Sequence, residues 1–242
     1  MVALKQLLID ILKGVGLLVA LWIIDTFIAF VPFSRASNTE YIITTWLVVD
    51  ILLVMILNKE FKFFNKVVWF AFIAAIGLLT ISYFLPLNSN IPAEALELNS
   101  NLNQQYENKY DYAKALFFAL EVKYSAPIRQ YLLEPWKVFF IKDFAYFWNL
   151  PEGSYADSST QGRMYQIMLL ESGRFDSSEV ILHQGFCSNS PHLLVDIHHP
   201  EKGDIWADFW AVDNFPGVES NKTYEFGMRA IRPCNDLIGT GY

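Results

Sequence analysis

The chain has 242 residues, 53% of them hydrophobic, and a formal net charge of −7. Acidity without a basic patch or interleaved aromatic and basic residues argues against a nucleic-acid partner. The apolar residues are concentrated in residues 1–87, which read as a three-span transmembrane region, while the rest has the size of one globular domain.

Three apolar runs, Gly14–Phe33, Tyr41–Leu57 and Val67–Leu85, each approach the ~20 residues a helix needs to cross the hydrocarbon core. The first is too long, and too closely followed by further apolar runs, for a cleaved signal peptide. Lys5 and Lys13 precede the first run, and Lys59, Lys62 and Lys66 separate the second from the third, against only Arg35 between the first two. The excess of positive charge places the N-terminus and the second loop in the cytoplasm and everything after Leu87 outside, which in a bacterium is the periplasm or the cell exterior.

Asp25 and Asp50 interrupt the first and second runs near their middles. A carboxyl at mid-bilayer costs about 2.5–3.5 kcal/mol on insertion scales and turns toward protein rather than lipid. No Lys or Arg lies within a run to neutralise either one. The alternatives are a shared proton, hydrogen-bonding glue between helices, and contact with another membrane protein.

Residues 88–104, polar and Asn-rich, read as a linker, and 105–242 as the exported domain. Helical periodicity over Tyr110–Tyr124 gathers Ala113, Leu116, Phe117, Leu120 and Val122 on one side. The aromatic stretch that follows, with Trp136, Phe139, Phe140, Phe144, Phe147 and Trp148, suits a core, with a membrane-surface helix as the alternative. Asp157, Ser158 and Ser159 form an N-cap cluster for a helix with Met164, Ile167, Met168 and Leu170 as its apolar face and Gly173 at its C-cap. Strands are expected at Ser178–Gly185, Leu193–Ile197, Ile205–Val212 and Thr223–Pro233, so the exported part is an α+β domain, helices first and antiparallel sheet after. Cys187 and Cys234, the only cysteines, both fall outside the membrane, where one disulfide between them is the default.

Three of the four histidines, His192, His198 and His199, lie in or beside the Leu193–Ile197 strand. Strand alternation sets Leu193, Val195 and Ile197 on one face and His192, Leu194, Asp196 and His198 on the other. A metal site built from His192, Asp196 and His198, with His183 and His199 near, matches no familiar ligand spacing, so neither a metal nor a cofactor is expected.

The order of "SSTQGRMYQIMLLESGRFDSSEVILHQG", "HLLVDI" and "FWAVDN" resembles the transglutaminase-like superfamily, whose fold relates to papain-type cysteine proteases. The resemblance covers Asp157 to Phe215. It implies that His192 stands at the family's histidine, Asp196 at the acidic position of the same strand, and Asp213 at the aspartate that orients the imidazole. The family's nucleophilic cysteine is missing. Ser158 or Ser159 stands in its place at a helix N-terminus, and Cys187, only five residues before His192, is an alternative nucleophile. The resemblance implies a groove that binds a peptide or cell-envelope component, or scaffolds a membrane complex, without cysteine catalysis. Two other readings stay open. One is an accessory membrane subunit acting through Asp25 and Asp50; the other is a serine-variant enzyme of acyl transfer or amide hydrolysis using Ser158 or Ser159, His192 and Asp213.

Overall fold

The computed structural model describes residues 2–30, 48–58, 65–125, 133–187, 190–199 and 203–209. The chain divides into two compact units, Met1–Phe84 and Leu85–Tyr242.

The first unit is helical: α1 (Val2–Phe30), α2 (Val48–Asn58) and α3 (Lys66–Phe84). Two stretches are long and apolar enough to cross a bilayer, Ala3–Ile24 of α1 and Lys66–Tyr83 of α3. Helix α1 therefore begins a dozen residues before the expected run. Its first turns are mostly apolar, and three of their polar side chains pair along the helix: Gln6 Nε2 donates to Asp10 Oδ1 at 3.0 Å, and Lys13 lies 3.6 Å from the same oxygen. The expected second span is described only from residue 48. As α2 it covers ~16 Å at 1.5 Å per residue, short of the ~30 Å core.

Helices α1 and α3 pack closely because Gly14 has no side chain to hold them apart. A Cβ there would meet the Val68 carbonyl oxygen at 2.6 Å and the Ala71 methyl at 2.8 Å. Asn65 closes this end of the pair. Its Oδ1 accepts from the Val67 and Val68 amides, capping α3, while its Nδ2 donates to the buried Asp10 carboxylate at 2.8 Å.

The second unit holds α4 (Ala93–Gln105), α5 (Lys109–Lys123), β1 (Tyr124–Ser125), α6 (Pro135–Phe139), α7 (Phe144–Trp148), β2 (Ser154–Tyr155), α8 (Ser158–Glu171), β3 (Val180–Cys187), β4 (Ser190–His199) and β5 (Gly203–Ala207). Strands β3, β4 and β5 make an antiparallel meander in that order, and β1 pairs with β2 in parallel. The helices-then-sheet order is the α+β arrangement expected.

Several boundaries moved, each for a local reason. Most of the expected linker, residues 88–104, lies in α4, Ala93–Gln105. Buried Asn99 donates to the Met168 carbonyl at 3.0 Å and accepts from the Tyr112 hydroxyl, which joins α4 to α5 and α8. A polar composition hid a helix whose inward residue is an asparagine with its hydrogen bonds met. On α5 the expected face is buried except Val122, which is exposed. On α8 the fully buried residues are Met164, Tyr165, Met168 and Leu169, with Ile167 and Leu170 only partly covered. Gly173 follows α8 at φ +68°, the left-handed conformation a C-terminal glycine supplies.

The aromatic stretch divides. Phe139, Phe144, Phe147 and Trp148 enter the core, whereas Trp136 and Phe140 stay exposed. The β3–β4 hairpin runs to the pair Cys187↔Ser190, so Cys187 belongs to a strand and not to a loop. Strand β5 ends at Ala207, five residues earlier than expected. Phe209 leaves the strand to stack on Phe117, with ring centroids 4.3 Å apart, and meets Tyr165 edge-on. The expected last strand, Thr223–Pro233, lies outside the described residues.

Candidate functional site

Helix α8 crosses the sheet at Gly162, where a Cβ would lie 2.7 Å from Leu193 Cδ2 and 3.8 Å from Val195 Cγ2. One turn later, Gln166 Nε2 reaches the Val180 carbonyl at 3.4 Å, and Val180 is paired with Ile197. The helix therefore runs with β4, and its N-terminus lies over the Ser190 end of that strand. Leu193, Val195 and Ile197 join the core on this face, as alternation requires.

The start of α8 is a buried polar cluster. Asp157 holds the N-cap position in extended backbone, and its carbonyl accepts from the Gln161 amide at 3.0 Å. Its carboxylate accepts from the hydroxyls of Ser159 and Thr160, not from a backbone amide. Ser159, Thr160, Gln161 and Arg163 are all buried, and Gln161 Nε2 donates to the Ala156 carbonyl at 2.8 Å. Lys142, from the segment between α6 and α7, donates to the Val138 carbonyl at 2.7 Å. Burial pushes its ammonium down to about 8; the Arg163 charge adds to that fall and the Asp157 charge opposes it. Asp157 is thus the acidic group at the positive end of the helix, held by two hydroxyls, with the Lys142 charge near it.

This arrangement bears directly on the expected nucleophile. Ser159 is 3% exposed and its hydroxyl is already committed to Asp157. No imidazole among the described side chains shares that bond, and attack on a polymeric substrate needs an open hydroxyl. Ser158 opens α8, and His192 sits in β4 opposite Gly185; the side chains of both lie outside the described part of the structure. Asp213 and Cys234 lie outside the described residues altogether, as does the side chain of Cys187, so the expected disulfide and the third triad member fall there too.

The structure brings a different histidine and carboxylate together. His183 Nε2 lies 3.2 Å from Asp196 Oδ2, on neighbouring strands. Asp196 alternates with Val195 and Ile197, so this pair occupies the face of the sheet turned away from α8. A triad of Ser159 with His183 and Asp196 is ruled out, because the sheet stands between them. Asp196 is 7% exposed, and its Oδ1 has no hydrogen-bond partner among the described residues. Among the described residues no three His, Cys, Asp or Glu side chains are grouped to hold a metal ion.

In the first unit, Asp50 lies on α2, where its Oδ1 is buried without a hydrogen-bond partner among the described residues; Asp25 lies on α1 and its side chain is outside them. Reading the sequence missed the His183–Asp196 pair, which strand parity and hairpin register would have revealed. It also missed the Lys142 charge near Asp157, which no local pattern announces. No protein-family model, curated protein or solved structure matches the chain.

Proposed function

We propose that this chain is a three-span membrane protein, N-terminus in the cytoplasm, carrying an exported transglutaminase-like domain that binds and does not catalyse. Its groove takes a peptide or cell-envelope component, or scaffolds a membrane complex. The observation that carries this reading is the committed, buried hydroxyl of Ser159, with Asp157 as its only described acceptor. The two apolar helices support the membrane anchorage. A fluorophosphonate probe, which marks activated serine nucleophiles, tests it on the full chain in bilayers. No labelling is expected. Labelling that disappears with Ser158→Ala or Ser159→Ala overturns the reading in favour of acyl transfer or amide hydrolysis.

A second reading rests on Asp50, whose Oδ1, buried with no partner among the described residues, suits a hydrogen bond from another membrane protein. Here the chain is an accessory subunit and the helices are its essential part. Capture of a partner helix that fails with Asp50→Asn or Asp25→Asn, yet survives His192→Ala, favours this reading over the groove.

A further inference from the structure

Helix α6 and the residues flanking it divide their apolar side chains unusually. Val138 and Phe139 point into the domain, while Leu133, Trp136 and Phe140 are 51%, 48% and 70% exposed. Trp136 and Phe140 stand one helical turn apart, since the Phe140 amide donates to the Trp136 carbonyl at 2.9 Å. They present one apolar surface, not isolated exposed residues.

The chain tethers this surface closely to a candidate membrane span. Helix α3 ends at Phe84, and Leu87 already belongs to the core of the second unit. The Asn88 amide donates to the Lys142 carbonyl at 3.0 Å, and Asn88 Oδ1 accepts from the Phe144 amide at 3.1 Å. Lys142 follows Phe140 by two residues. A fully extended chain covers at most ~3.6 Å per residue, so Phe84 to Asn88 spans no more than ~14 Å. The covalent chain between the end of α3 and the segment that carries the aromatic turn is thereby only a few residues long.

We propose that Leu133, Trp136 and Phe140 form an interfacial anchor, inserting among the headgroups and upper acyl carbons of the same bilayer that α3 crosses. The proposal rests on the membrane reading above. Tryptophan and phenylalanine favour that depth because an apolar ring meets acyl chain there. The lipid class follows from the neighbouring cations. Lys137 is paired with Glu134 at 3.0 Å, and Lys142 is bound to a backbone carbonyl, so among the described residues of this turn neither lysine is set to hold anionic lipid. A zwitterionic phosphatidylcholine surface therefore suffices for these three apolar side chains.

The test uses the full chain in phosphatidylcholine nanodiscs with a fluorescent amino acid at position 140, and at exposed Ser177 as control. The position-140 probe is expected to be quenched by lipids spin-labelled near the headgroup and shielded from aqueous iodide by about threefold or more, as an interfacial depth requires; the Ser177 probe should show the reverse. Iodide quenching at 140 equal to that at Ser177 overturns the proposal. So does a probe shielded from iodide but not reached by lipid label, which would mean that protein covers it. Release of the chain from native membranes by alkaline carbonate would overturn the membrane reading itself, whereas retention without lipid quenching at 140 overturns the anchor alone.

Discussion

Replacing Gly162 by alanine sets two effects of similar size against each other. In an open helix the change stabilises by ~1 kcal/mol, because glycine carries the larger unfolded entropy. Here the new methyl would lie 2.7 Å from Leu193 Cδ2, well inside the ~3.5–4.0 Å of a good carbon contact. Leu193 is 1% exposed and has nowhere to retreat. Overpacking costs ~1–3 kcal/mol, so Gly162→Ala should destabilise by ~0–2 kcal/mol net. In a Leu193→Ala background, itself destabilised by ~2–5 kcal/mol, the obstructing atoms are gone and the propensity gain returns. The same substitution then stabilises by ~1 kcal/mol, a coupling of ~1–3 kcal/mol between the two positions. Thermal unfolding of all four proteins, followed by tryptophan fluorescence in detergent, reads this as a Tm change of about 2–4 °C per kcal/mol. A gain of ~1 kcal/mol in both backgrounds would refute the close crossing of α8 over β4.

Asp157→Ala should cost ~2–4 kcal/mol, since it strands two buried hydroxyls and removes the carboxylate charge that acts on Lys142, while Asp157→Asn keeps one acceptor and costs less; chemical denaturation compares them. Lys142 has its folded pKa lowered to about 8 from an ordinary 10.5, so between those values the unfolded chain binds the extra proton and stability rises with pH. Lys142→Met should remove that rise, leaving a Tm difference between variant and parent that shrinks from pH 7 to pH 10. Asn65→Ala should cost ~2–3 kcal/mol in an SDS-titration assay, from a lost cap and a lost bond to a carboxylate. Asn65→Asp should be worse, because it keeps the cap and sets a second carboxylate beside Asp10.

Elements defined by apolar periodicity were legible from the chain alone: α3, α5, α8, and the face of β4 that carries Leu193, Val195 and Ile197. The Gly173 stop was legible because only a left-handed position calls for that residue there. Helix α4 was not, since its inward side chain, Asn99, is polar and is satisfied by partners distant in sequence, Tyr112 and Met168. The end of β5 was hidden similarly: Phe209 fits an alternating strand and is drawn out of it by rings on α5 and α8. At the candidate site the helix start was readable, but its electrostatics were not. Lys142 comes near Asp157 only through the fold, and His183 finds Asp196 only through the hairpin register.

The bond from Asn65 to Asp10 also orders events during synthesis. These residues are 55 apart in sequence, so α1 is complete well before its buried carboxylate can meet the amide that satisfies it. At ~5–20 residues per second the interval is several seconds. Until then Asp10 has only Gln6 and Lys13, one turn away in its own helix, to hold its charge. The start of α1 is thus a segment that must wait in polar surroundings, and the arrival of α3 makes its burial complete.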